Sequence, residues 1–334
     1  MIKVAINGFG RIGRVAFREM ILSEDFDIVA INDLTDAEEL SYLLRYDTNH
    51  RSFYEDKITY DNDEIIINDV KRIKVYAEKD PVNLPWGELE VDLVLECTGL
   101  FTDIESARKH IEAGAKKVII SAPGKGDMKT VVYNVNEDIL DGNEEVISAA
   151  SCTTNCLAPV LKVINDNNKI VKGFMTTVHA YTNDQATLDI AHKKSYKARR
   201  GRACAMNIVP ATTGAAKAIG NVIPELKGKL DGNAYRVPVS DGSVIDVTLE
   251  LTNKTSIEEI NELLFSNQNE TLKFTMDPIV SSDVLGKKSG ALVDGMLTNI
   301  VEDNDKQLVK IVAWYDNELG YTAQMLRTAK KLFE

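Results

Sequence analysis

Apolar and polar positions follow two periods along the first 150 residues. Ile2–Asn7 is an apolar run of strand length, and Ile12–Leu22 repeats its apolar positions at helical spacing. Asp27–Asn32 and Asp92–Glu96 are strand-like. Asp103–Ala113 reads as a helix with His110 on its exposed side, and Lys117–Ser121 as another strand. Strand and helix in alternation predict an α/β domain built on a parallel sheet. Ile58–Val75 reads as two short strands turning at Asp61-Asn62-Asp63.

The pattern changes near residue 150. The apolar stretch Glu145–Ala149 stops at Ser151, and a helical pattern follows with Leu157, Val160, Leu161 and Ile164. Beyond it, Gly173–Tyr181, Tyr235–Val239, Val244–Leu251, Gly290–Leu297 and Leu308–Trp314 are rich in β-branched residues. Their spacing predicts an α+β domain with a mostly antiparallel sheet. Ile257–Leu264 reads as a helix crossing that sheet, and Asn317–Phe333 as a final amphipathic helix. The expected division is 1–151 and 152–316.

At 334 residues the chain has room for two ordinary domains, and 44% hydrophobic with 27% charged residues is a soluble globular composition. No apolar run is long enough for a membrane helix. A strand begins at Ile2, leaving no room for a signal peptide, so the expectation is a cytoplasmic protein whose cysteines (97, 152, 156 and 204) stay reduced. The net charge of −12 argues against a nucleic-acid or acidic-membrane surface. Positive charge is concentrated in Lys193, Lys194, Lys197, Arg199, Arg200 and Arg202, a run that by itself reads as a solvated loop.

Cys152 carries the strongest chemical signal. It opens the helical pattern in Ser151-Cys152-Thr153-Thr154-Asn155-Cys156, where unpaired backbone N–H groups favour negative charge. That position biases the thiol toward thiolate, and the neighbouring hydroxyls suit an oxyanion or phosphate. A metal reading fails: Cys152 and Cys156 share a helical face, but a structural zinc site needs two more ligands. Of the four histidines, His179 at the end of a strand, read as a sheet edge, fits best as the base beside Cys152.

Gly8-Phe9-Gly10-Arg11-Ile12-Gly13 matches G-x-G-x-x-G between a strand and a helix. The second strand ends at Asp33, twenty residues past Gly13, where a carboxylate accepts from ribose hydroxyls and repels a 2′-phosphate. Together these predict a Rossmann-type domain that prefers NAD to NADP. Thr98, Gly99 and Ser121 stand at strand C-termini, where such sheets bind ligands. Ser121 either contacts the cofactor or caps a turn, while Cys97 reads as packing.

Over essentially its whole length the chain resembles the phosphorylating glyceraldehyde-3-phosphate dehydrogenase family. The resemblance rests on Asn7–Arg14, Ser151–Cys156, Thr177-Val178-His179-Ala180-Tyr181-Thr182, Thr213-Gly214-Ala215-Ala216-Lys217, Arg236-Val237-Pro238 and Trp314-Tyr315-Asp316-Asn317-Glu318. It implies that Cys152 is the nucleophile and His179 its base. Thr182 and Arg236, with Asp184 and Arg199 or Arg200 nearby, belong to the substrate-phosphate site. Ser151, Thr153, Thr213 and Gly214 belong to the inorganic-phosphate site, and Asn317 meets the nicotinamide amide. It further implies that helix 317–334 returns to the first domain, and that segment 193–202 lines a neighbouring subunit's cofactor site in a homotetramer. The implied reaction is glycolytic oxidation of glyceraldehyde 3-phosphate to 1,3-bisphosphoglycerate with NAD and inorganic phosphate. Its rivals are an erythrose-4-phosphate dehydrogenase and a secondary surface or RNA-binding role. Ile190-Ala191 departs from the family's frequent Leu-Pro, and Ser240-Asp241-Gly242 from a Pro-containing turn.

Overall fold

In the computed structural model, which describes residues 1–193 and 195–334, the chain clusters into two units. Lys194 of the basic run lies outside the described residues. The first unit comprises Met1–Val131, Glu137–Ala150 and Met325–Glu334; the second comprises Val132–Asn136 and Ser151–Gln324.

The first unit holds β1 (Ile2–Asn7), β2 (Phe26–Asn32), β3 (Ile58–Asp61), β4 (Glu64–Ile67), β5 (Lys71–Tyr76), β6 (Leu93–Glu96), β7 (Lys117–Ile120) and β8 (Val146–Ser148). They form one sheet in the order β3-β4-β5-β2-β1-β6-β7-β8, antiparallel at its first two junctions and parallel elsewhere. Val4, Ala5, Ile6, Leu93, Val94 and Ile119 are fully buried, the reason central parallel strands read as unbroken apolar runs. The Ile58–Val75 region contributes three strands rather than two, because Lys71–Tyr76 runs on to pair with β2. The helix expected over Asp103–Ala113 is two single turns, Ile104–Ala107 and Lys109–Glu112. His110 lies on a fully buried face of the second, not an exposed one. A further helix, Ala37–Arg45, is capped by Asp36, which accepts from the amide of Glu39 at 2.9 Å. The C-terminal residues join this unit through Lys330 on Asp25 and Lys117 over the Phe333 ring.

The second unit contains β9 (Ile170–Ala180), β10 (Val209–Thr212), β11 (Leu230–Val237), β12 (Ser243–Leu251), β13 (Leu272–Thr275), β14 (Ala291–Asp294), β15 (Asn299–Asp303) and β16 (Lys306–Tyr315). The order is β10-β11-β9-β12-β16-β14-β13 with β15 on β16, and most junctions are antiparallel. Along β12 Ser243, Ile245, Val247 and Leu249 are buried and their alternates less so, the signature of a sheet with one covered face. The strand expected over Gly290–Leu297 stops at Asp294, whose side chain accepts from the amide of Met296 and starts a tight turn. β9 is an interior strand between β11 and β12, so His179 sits at a strand end within the sheet and not at a sheet edge.

Candidate active site

The Gly8–Gly13 turn joins β1 to the helix Arg11–Met20, and two of its three glycines have a steric reason. A Cβ on Gly8, whose φ is +91°, would stand 2.7 Å from the amide nitrogen of Thr98; one on Gly13 would meet the Gly8 carbonyl oxygen at 2.2 Å. Gly10 has open space where its Cβ would be, and no side chain caps the helix that follows. These are the conditions under which backbone amides receive a pyrophosphate. The adjoining cleft, about 550 Å³, is lined by Asn7, Gly8, Gly10, Asp33, Thr98 and Leu100 among others. Asp33 accepts from the amides of Phe9 at 2.7 Å and Thr35 at 3.0 Å, which holds its carboxylate at the end of β2. The donor set and shape therefore fit a dinucleotide.

Other cofactor candidates in this unit divide by what their side chains do. Gly99 takes a φ of +70° in open space beside Thr98. Ile12 is half-buried in the first helical turn. The guanidinium of Arg11 grips Asp47, with Nη2 donating to Oδ1 at 3.0 Å, which leaves its side chain partly exposed. Burial works to raise the Asp47 carboxyl, yet Arg11 and the His50 amide prevail and hold it down at about 2. Burial pushes the Cys97 thiol up to about 12, with the Ser121 hydroxyl opposing it, so Cys97 is not poised as a nucleophile.

In the second unit Cys152 is the first residue of the helix Cys152–Asn167. Ser151 is its N-cap, accepting from the amide of Thr154 at 3.1 Å. Ala150, just before the cap, takes a left-handed φ of +59°, a strained conformation for a residue with a Cβ. The Cys152 sulfur lies 3.3 Å from Nε2 of His179, close enough for direct proton transfer.

The other ring nitrogen of His179 has two neighbours with opposite demands. Nδ1 lies 2.7 Å from the Ala180 carbonyl oxygen, which only accepts, and 2.7 Å from Nη1 of Arg236, which only donates. Arg236 Nη1 also reaches the Ala180 oxygen at 3.0 Å. Burial, reinforced by the Arg236 charge, lowers the imidazole to about 3. Burial also raises the Cys152 thiol, opposed by Arg236 and by hydrogen bonds from Thr153. Helix position is thus not the only influence on the thiol: desolvation works against the charges and hydrogen bonds that favour a thiolate, and it is the larger of the two.

Arg236 is the penultimate residue of β11 and half-buried, and burial together with Arg200 lowers its basicity. Its Nε is buried without a hydrogen-bond partner among the described residues. Such a donor costs about 1–3 kcal/mol, which an anion would recover. Arg200 donates through Nη1 to Asp184 Oδ2 at 2.5 Å, while Thr182 donates to Asp184 Oδ1 at 2.5 Å. Asp184 thus ties Thr182 to Arg200, whereas Arg199 is exposed at a φ of +60°.

Of the remaining candidates, Thr153 turns its hydroxyl to Tyr315 at 2.9 Å, and Thr177 reaches the same phenol at 2.9 Å. Thr213 accepts from the amide of Ala215 at 3.1 Å, and Gly214 caps the helix Ala215–Val222. Asn317 receives the Ser243 hydroxyl on Oδ1 at 2.6 Å; Ser243 in turn accepts from the amide of Ala180 at 3.1 Å. In the Ser240–Gly242 turn, a Cβ on Gly242 would stand 2.2 Å from the Ser281 carbonyl oxygen. That contact and a φ of +84° explain its glycine. Sequence reasoning missed Tyr315, Ser243 and Gln185, whose Oε1 accepts from the Thr182 amide at 3.3 Å. Tyr315 stood inside a recognised motif; Ser243 and Gln185 gave no local signal.

Residues 2–104 match the family described as "Glyceraldehyde 3-phosphate dehydrogenase, NAD binding domain", and residues 151–317 match "Glyceraldehyde 3-phosphate dehydrogenase, C-terminal domain". The chain is 56% identical over 328 residues to a glyceraldehyde-3-phosphate dehydrogenase of Clostridium pasteurianum, covering 98% of this chain and 97% of that relative. It is 55% identical to one of Clostridium acetobutylicum and 53% identical to one of Streptococcus pyogenes, with the same coverage of both chains. The site geometry and these likenesses, which run through both units, lead to one conclusion: the chain belongs to the glyceraldehyde-3-phosphate dehydrogenase family.

Proposed function

We propose that this NAD-dependent oxidoreductase converts glyceraldehyde 3-phosphate and inorganic phosphate to 1,3-bisphosphoglycerate in glycolysis, with Cys152 as nucleophile and His179 as base. The observation that carries the reading is the 3.3 Å contact between the Cys152 sulfur and His179 Nε2, at a helix start and beside Arg236.

His179 is a competent base when Nδ1–H donates to the Ala180 oxygen and Nε2 offers its lone pair to the thiol. Arg236 competes for Nδ1, so drawing its guanidinium onto a substrate phosphate favours that tautomer. Proton transfer to Nε2 releases the thiolate, which attacks the aldehyde carbon. The new oxyanion sits at the amide of Cys152 and takes the proton back from His179, giving a hemithioacetal. NAD, when bound, supplies the hydride acceptor. His179 removes the hydroxyl proton as the carbon becomes a thioester on Cys152. Inorganic phosphate then attacks the thioester, releasing the acyl phosphate and restoring the cysteine.

Thr182, Arg200 and Arg236 take the substrate phosphate, with Asp184 orienting the first two and Arg199 standing outside. Ser151, Thr153, Thr213 and Gly214 take inorganic phosphate, chiefly through backbone amides where their hydroxyls are already engaged. The Gly8–Gly13 turn, Asp33, Thr98, Gly99 and Ser121 hold NAD, and Asn317 takes the nicotinamide amide. A cytoplasmic homotetramer completes the reading; among the described residues no helix is long and apolar enough to cross a membrane.

The test is NADH formation from glyceraldehyde 3-phosphate with phosphate present or omitted, beside erythrose 4-phosphate. Phosphate-dependent turnover that favours the triose supports the reading. Phosphate-independent turnover that favours the tetrose replaces it with an erythrose-4-phosphate dehydrogenase.

A further inference from the structure

A group of buried polar side chains that the mechanism leaves unused lies in the first unit. Glu96 at the end of β6 and His110 are both fully buried. The indole nitrogen of Trp86 stands 3.0 Å from Nδ1 of His110. An indole N–H only donates, so Nδ1 accepts and the imidazole proton resides on Nε2. Nε2 then donates to Glu96 Oε2 at 3.1 Å.

Glu96 receives three more donors. Asn7 Nδ2 reaches the same Oε2 at 2.5 Å; the Thr98 amide reaches Oε1 at 2.8 Å, with the Thr98 hydroxyl beside it. Four donors fill the lone-pair sites of one carboxylate. Two of the residues so held, Asn7 and Thr98, line the nucleotide cleft. The network continues through Asn7 Oδ1 to Asn32 Nδ2 at 2.7 Å, and from Asn32 to the backbone of Glu78 at 2.9 Å, both again at the cleft. Tolerance here is small, because Gly8 already abuts the Thr98 amide.

We infer that His110 is a positioning residue for NAD: through Glu96 it fixes Asn7 and Thr98, two walls of the cleft, without touching the cofactor. The Trp86 indole keeps the donating tautomer in place. The inference rests on the reading of this cleft as the NAD site.

Calorimetric titration of the full-length protein with NAD tests it, alongside the rate of Cys152 alkylation by iodoacetamide without NAD. His110→Leu removes the donor to Glu96 and should weaken NAD binding tenfold or more. His110→Gln keeps an N–H for Glu96 and should stay within threefold of wild type. Glu96→Gln cannot accept all four donors and should also lose tenfold or more. Alkylation should be unchanged in all three. A loss below threefold in His110→Leu overturns the inference, as does a His110→Gln variant as weak as His110→Leu. Parallel loss of NAD affinity and alkylation, the mark of general damage, also overturns it. If His110→Leu does not fold, Glu96→Gln decides, and wild-type affinity there overturns the inference. Absence of NAD binding by the wild-type protein would instead defeat the reading of the cleft.

Discussion

Arg236 places a guanidinium nitrogen 2.7 Å from Nδ1 of His179, the ring nitrogen that does not face Cys152. Its positive charge lowers the pKa of both members of the pair, favouring thiolate at Cys152 and neutral imidazole at His179. Arg236→Gln should therefore move the alkylation midpoint of Cys152 upward in pH and slow alkylation near neutrality. A pH series of iodoacetamide alkylation rates measures this. A midpoint unchanged or shifted downward would remove Arg236 from the electrostatics of the pair.

The same arginine should discriminate between substrates. A planar fork makes charge-assisted bonds to phosphate, each worth about 1.5–3 kcal/mol, or roughly 10- to 150-fold in KM. Arg236→Ala should raise KM for glyceraldehyde 3-phosphate by that order and affect unphosphorylated glyceraldehyde far less. Arg236→Lys should rescue only in part. An equal rise in KM for both substrates would remove Arg236 from phosphate binding, since its effect on Cys152 falls on both substrates alike.

Only Cys152 should be required for chemistry. Cys156 is fully buried, its sulfur 3.8 Å from the Ala313 carbonyl oxygen, and burial holds its thiol well above the usual range. Cys152→Ser should abolish turnover while leaving NAD affinity intact, whereas Cys156→Ser should remain active. A folded but dead Cys156→Ser enzyme contradicts the assignment.

Cofactor preference should depend on Asp33. Its carboxylate suits ribose hydroxyls and repels a 2′-phosphate, so Asp33→Ala should weaken NAD binding and narrow the gap to NADP. Ile190-Ala191 makes the wild-type ratio worth measuring first. Equal wild-type use of NAD and NADP would void the argument.

Asp47 should support the first unit through Arg11. Its carboxyl is held at about 2 against an ordinary 3.8, equivalent to on the order of 2 kcal/mol at neutral pH. A depressed folded value stabilises above the unfolded value and is lost as pH falls through about 2. The stability gap between wild type and Asp47→Asn, read by urea unfolding, should thus be full at pH 7 and shrink from about pH 4 downward. A gap independent of pH would show that the loss is one of packing.

Local signals carried much of this protein. The G-x-G-x-x-G turn, Asp33 at the end of the second strand and Cys152 at a helix start depend on residues near one another in the chain, so spacing alone located them. The parallel and antiparallel sheets followed from the alternation of elements. Tertiary structure decided what depends on distant neighbours. His110 looked solvent-facing by helical period but is buried, because Trp86 and Glu96, from other elements, satisfy both ring nitrogens. Arg200 and Arg199 are equivalent in sequence, yet only Arg200 meets Asp184. The Cys152 thiol was expected to lie low from its helix position, but packing around it removes water and raises it. Helix position is written in a few consecutive residues; desolvation is set by every segment that closes over a side chain, and no local pattern records it.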